Sequence, residues 1–170
     1  EAWRKSSNKD LYLAVVISLS TGARKMEIWG LRWRDVDLNT GQATLRETKN
    51  RQTRSVPIQG YALELMKQKS RVRRIDTDLV FPSTVDPQKP FDFRRAWEAV
   101  LRKAEIDDFR WHDLRHSAGS YLAMSGASVR DIAEILGHKT LQMAMRYSHL
   151  TEKHSASVVR VMNEKMFGKY

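Results

Sequence analysis

The chain has 170 residues, 41% of them apolar and 29% charged, which suits a single domain with room for a real core. Its 30 Lys and Arg against 20 Asp and Glu leave a formal charge of +10. That excess fits either an inert basic surface or a polyanion partner, nucleic acid before an anionic membrane, because no short amphipathic segment concentrates it. The absence of cysteine excludes disulfides and thiolate metal sites. The longest apolar run, Leu11 to Leu19, is too short to span a bilayer and no signal peptide is visible, so a cytosolic protein is expected.

The segment 10–22 is apolar nearly all round and ends at Gly22, so it predicts a central core helix. A second helix is expected over 24–31. A turn at 37–42 leads into two strands, 42–47 and 53–58, joined as a hairpin by the polar segment 48–52 that holds Lys49. Helical spacing of Leu63, Leu65 and Met66 predicts a helix over 61–72 with a basic end at Arg71, Arg73 and Arg74. Leu79, Val80 and Phe81 form a short buried segment, 82–90 a loop, and 91–103 a helix. Three more helices follow near 113–125, 129–136 and 141–147, the first two ending at Gly126 and Gly137. Ser128 with Asp131 has the spacing of a capping box. A last helix, 151–167, gathers Val158, Val159, Met162 and Met166 on a face too apolar to stay in solvent, so it should dock on its own domain or a neighbour. The fold class is mainly α with a small antiparallel β-sheet.

Several polar side chains stand where a core stripe runs. Arg24 falls in register with Ile28 and Leu31, and an arginine so placed needs a partner. Glu27, one turn along, supplies a structural ion pair; an anion would serve as well. Arg115 shares its stripe with Ala118, Gly119 and Leu122, beside the stripe of Leu114, Ala118 and Tyr121. A phosphate between two half-buried arginines would satisfy both. His112 lies near a helix start, where an imidazole and a backbone N–H can face an anion. With His116 it also has the i,i+4 spacing of a zinc pair, but the Glu that follows the first His in metalloprotease helices is Asp113 here.

Leu141, Ala144 and Met145 define an apolar stripe from which Tyr147 points away, towards a ligand if not a core rim. Lys49 is either a solvated loop lysine or, beside a phosphate, a proton donor. Arg51 and Arg54 are expected to touch backbone phosphates. His149 and His154 are expected on the surface.

Four stretches carry a resemblance: TGARKMEIWGLRWRDVD at 21–37, ETKNRQTRSVPI at 47–58, HDLRHSAGSYL at 112–122 and ILGHKTLQMAMRYSHL at 135–150. In this order they closely resemble the catalytic domain of the tyrosine recombinase, or phage integrase, family, over nearly the whole chain 1–170. On that resemblance Arg24 matches the first catalytic arginine and Glu27 its acidic neighbour. Lys49 matches the hairpin lysine, His112 and Arg115 the His-x-x-Arg pair, His138 the His/Trp position and Tyr147 the nucleophile. Ser117 stands where many members have Thr.

The resemblance implies the family's catalytic-domain fold and site-specific cleavage and rejoining of DNA. Tyr147 would attack a phosphodiester to form a 3′-phosphotyrosyl bond and release a 5′-hydroxyl. It implies no cofactor and no metal, double-stranded DNA attachment sites as substrate, a homotetramer on DNA, a monomer when isolated, and no membrane. Members usually carry a DNA-clamping core-binding domain upstream, and Glu1 stands about where its linker would join. An integrase of a phage, prophage or integrative element is therefore expected. A host recombinase resolving chromosome dimers, a type IB topoisomerase-like enzyme and a DNA-binding regulator are the other readings.

Overall fold

A computed structural model describes residues 8–46, 53–150 and 155–168. They fall into two compact units, Glu1–Ala118 and Gly119–Tyr170, with the boundary inside a helix.

The first unit is built around α1 (Lys9–Thr21), the expected core helix. Asn8 caps it by accepting from the Leu11 N–H at 3.1 Å. Gly22 closes it in the left-handed conformation (φ 61°), donating its N–H to the Ser18 carbonyl. Leu11, Ala14, Val15 and Ile17 are buried, and so are Ser18 and Thr21. The two buried hydroxyls donate back to the carbonyls of Ala14 and Ile17, so neither costs an unsatisfied group. A short helix α2 (Lys25–Trp29) follows, narrower than the expected 24–31, with Arg24 as its cap.

The sheet has three antiparallel strands in the order β1 (Val36–Asp37), β2 (Gln42–Arg46) and β3 (Thr53–Pro57). The hairpin of β2 and β3 is the expected one, in the register Ala43↔Val56 and Leu45↔Arg54. Ala43, Leu45 and Val56 turn inward while Gln42, Arg46 and Pro57 stay exposed, as the two-residue period of a one-sided sheet requires. β1 has no signature in the sequence, because two residues carry no period. Its pairing with β2 creates it.

α3 (Gly60–Ser70) buries Ala62 and Met66, and α4 (Arg94–Lys103) buries Trp97 and Val100. Phe81, Phe93, Trp29, Trp97 and Trp111 form a connected aromatic group. Trp29 meets Trp111 edge-on at 5.4 Å and Phe93 at 5.6 Å, while Trp97 lies 5.0 Å from Trp111. This group anchors the start of α5 (Trp111–Met124), the helix in which the two units divide.

In the second unit, α6 (Val129–Leu136) opens on the expected capping box: Ser128 and Asp131 bond reciprocally. It closes on left-handed Gly137. α7 (Gln142–Met145) is only four residues long, and a 3₁₀ turn covers Ser148–Leu150. Ala123, Ile132, Ala133, Leu136, Ala144 and Tyr147 make this unit's own core. α8 (Ser155–Phe167) is the last element among the described residues. From Val158 to Gly168 the residues are exposed, so among the described residues the apolar face expected to dock on its own domain or a neighbour is uncovered. Among the described residues no helix is long and apolar enough to cross a membrane.

Candidate active site

The first unit brings together three of the residues singled out in the sequence. Arg115 is buried at 4% exposure, deeper than the half-burial expected, and its Nη1 donates to the Gly22 carbonyl at 2.8 Å. That carbonyl is turned by the left-handed cap of α1, and two residues later comes Arg24. The α1–α2 corner and the second arginine are therefore tied by a charge-assisted hydrogen bond across 93 residues of sequence. His112 lies one turn before Arg115 on α5, with its side chain exposed.

Arg24 is held from behind. Glu27 accepts its backbone N–H at 2.6 Å and its Nη1 at 3.1 Å. The same carboxylate accepts Arg54 Nη1 at 2.5 Å and Nη2 at 2.8 Å. Arg54 is thus a bidentate clamp on Glu27, not a solvent-facing residue reaching for phosphate. Burial alone would raise the Glu27 carboxyl. The Arg54 bonds and the Arg24 backbone N–H outweigh it and hold the group below its ordinary value. Two guanidiniums on one carboxylate leave an excess positive charge, and the Arg24 side chain, 29% exposed, is where solvent or a ligand can meet it.

The start of α5 is fixed by Asp113, which accepts the Arg110 N–H at 2.7 Å, and by Ser117, which donates to the Asp113 carbonyl. The rings of His112 and His116 meet edge-on at 4.8 Å. Desolvation first, then the charges of His116 and Arg115, push the His112 imidazole below its ordinary 6.5, against the opposing pull of Asp113. At neutral pH it is the uncharged ring, able to accept a proton or donate one hydrogen bond. No group of three or more His, Asp or Glu side chains gathers as metal ligands among the described residues.

The second unit holds the other two. His138 follows the Gly137 cap of α6, is half-buried, and donates its backbone N–H to the Ala133 carbonyl at 2.8 Å. Tyr147 corrects the sequence reading. It does not point away from the core but is part of it, at 4% exposure, while Leu141 and Met145 of the expected stripe are 55% and 53% exposed. Its ring lies against Gly119, where an added Cβ would fall 2.5 Å from the ring carbon Cζ. Tyr121, expected on an inward stripe of α5, is 67% exposed instead. Lys49, Arg51 and His154 lie outside the described residues; His149 is exposed as expected.

A family model described as the phage integrase family matches residues 1–154. The chain belongs to that family. The shufflon-specific DNA recombinase of Escherichia coli is 34% identical over 150 residues, which are 86% of this chain and 36% of that protein. The integrase of Haemophilus phage HP1 (strain HP1c1) is 32% identical over 158 residues, 91% of this chain and 42% of that one. This chain therefore spans about two fifths of the length of such curated relatives. Among solved structures, the catalytic domain of bacteriophage HP1 integrase matches at 30% identity and TM-score 0.73, over 99% of this chain and 91% of that one. The crystal structure of XerA recombinase matches at 26% identity and TM-score 0.73, over 99% and 62%.

Two features of this integrase-family chain are hard to read in the sequence. Arg54 needs the hairpin to be folded before it can reach Glu27, 27 residues away. Gly119 does leave a trace: a glycine in the middle of a helical pattern costs about 1 kcal/mol against alanine and asks for a reason.

Proposed function

We propose that this chain is the strand-cleaving and rejoining part of a site-specific DNA recombinase of the integrase type, acting through a 3′-phosphotyrosyl intermediate. The observation that carries the reading is the construction around Arg24 and Arg115. One arginine is buried and bonded to the turn that presents the other, and that other is braced by a carboxylate shared with Arg54. Cations so fixed, Arg115 buried and Arg24 partly exposed, are preorganised for an anion whose charge grows during reaction.

In this reading the Tyr147 oxygen attacks the phosphorus, the bond to the 5′ oxygen breaks, and Arg24 and Arg115 take up the charge on the non-bridging oxygens. Lys49 gives a proton to the departing 5′ oxygen. Tyrosine's ordinary pKa is about 10, so the phenol must lose its proton as it attacks. Neutral His112, or His138, accepts it. The phosphotyrosyl bond keeps the energy of the broken one, so a 5′-hydroxyl of a partner duplex reverses the step without a metal or a nucleotide cofactor. The substrate is double-stranded DNA attachment sites, engaged by a homotetramer; the isolated chain is a monomer.

The test is covalent trapping on nicked attachment-site duplexes, where the short cleaved strand diffuses away. Wild type should form an SDS-resistant adduct and Tyr147→Phe none, with duplex affinity unchanged within about twofold, since one neutral hydroxyl adds little beside the cationic contacts to many phosphates. An adduct formed equally by the Phe variant would overturn the assignment.

A further inference from the structure

We propose that Gly119 is a positioning residue for the nucleophile: the missing side chain is the seat of the Tyr147 phenol. The proposal rests on Tyr147 being the attacking residue, and extends that reading to a position to which nothing yet assigns a role. All of its geometry lies within the second unit. A Cβ built on Gly119 would stand 2.5 Å from Cζ of Tyr147, the carbon that bears the hydroxyl, and 2.8 and 2.9 Å from the flanking Cε2 and Cε1. Ordinary contact begins at 3.4 Å, so alanine here forces the reactive end of the ring to move by about 0.9 Å.

The obstacle would be fixed on the other side as well. Tyr147 is 4% exposed and belongs to a core that includes Ala123, Ile132, Ala133, Leu136 and Ala144, so the ring cannot retreat without disturbing packed neighbours. The ring is carried by a 3₁₀-flanked end of a four-residue helix, which by itself gives little rigidity. The close approach of the ring to α5 at Gly119 is what limits its freedom. Glycine in the interior of a 14-residue helix weakens that helix, and the space it leaves is filled by the phenol end of one particular side chain. A nucleophile held to one place reacts faster than a swinging one, and a misplacement of about 1 Å can cost about a hundredfold.

The experiment compares wild type, Gly119→Ala and Tyr147→Phe on the nicked duplex that traps wild type. Gly119→Ala should bind DNA as wild type does but form adduct about a hundredfold more slowly. With 3-fluorotyrosine at all five tyrosines, the ¹⁹F resonance missing in Tyr147→Phe should shift in Gly119→Ala while the other four stay in place. A merely structural defect would move them all. Thermal unfolding supplies a second arm independent of activity. Gly119→Ala should lower Tm in the wild-type background and raise it in Tyr147→Ala, where alanine is simply the better helix former. A Tm change of the same sign in both backgrounds overturns the proposal. So does unchanged adduct formation, or faster formation, which would make the seat a store for the phenol. If wild type itself forms no adduct, the cleavage reading fails, and the Tm comparison still decides whether Gly119 exists for the ring.

Discussion

Glu27 holds two guanidiniums on one buried carboxylate, and its loss should be felt in stability before chemistry. Glu27→Gln removes the charge that lets Arg24 and Arg54 sit together, and we expect a loss of about 2 to 3 kcal/mol at pH 7, below the full cost of breaking a buried pair because Arg24 is partly solvated. The pH dependence follows from the direction of the shift. The folded carboxyl lies below its ordinary 4.5, so between those values the unfolded chain binds more protons. Its contribution is complete above 4.5 and disappears as pH falls through the folded value. Denaturant titrations at a series of pH values should show wild type losing this part of its stability in acid and Glu27→Gln flatter there. Equal midpoints for the two proteins at pH 7 would refute the bracing role. The pairing of Arg24 with Glu27 is readable in the sequence because three residues are one helical turn. The second guanidinium is not readable, since it depends on the hairpin register that sets Arg54 opposite Leu45.

At the level of elements, long segments with a clear period are legible and short ones are not. α1, α6 and the β2–β3 hairpin fall close to their expected ranges because caps, alternation and glycine stops agree, and α3 does so on its apolar spacing alone. The stretch 141–147 fails for a physical reason. A helix of four residues has no stable face of its own, so which side is buried is decided by docking: Ala144 and Tyr147 go in, and Leu141, Met143 and Met145 stay out. α8 poses the opposite case, a clear apolar face that remains exposed, with Val158, Val159 and Met162 each about half accessible. An exposed face of this kind is suited to a contact with another molecule. Ending the chain after Leu150 should leave duplex binding near wild type in gel shifts. It should slow strand exchange about tenfold or more, which corresponds to about 1.4 kcal/mol of lost assembly energy. Recombination at the normal rate without the helix would remove α8 from the assembly.

For the molecule as a whole, the mainly α class and the small sheet are visible in the sequence, whereas the division between Ala118 and Gly119 leaves no trace there. It falls inside a continuous helix, so no linker composition marks it. Charge is the other property that belongs to the whole chain. Many acidic groups already have cationic partners at short range, as in Asp35 with Arg46, Asp10 with Lys69 and Asp92 with Arg94. The excess of +10 therefore resides in other Lys and Arg, with Arg71, Arg73, Arg95, Arg102 and Lys103 among the exposed ones. If these meet a DNA backbone, binding gains mainly by releasing counterions, and affinity should fall linearly with salt on logarithmic axes. Neutralising three phosphates gives a slope of about −2.7, roughly a fortyfold loss between 50 and 200 mM salt. Fluorescence anisotropy on a random-sequence duplex measures it directly, because this contribution carries no sequence information. Charge reversal at Arg95 and Arg102 together should flatten the slope by about 1 to 2 units while leaving the fold intact, since both side chains are exposed. A slope near zero in the unaltered chain would mean that its basic surface does not face the DNA backbone, and that the arginines of the candidate site act on a ligand of another kind.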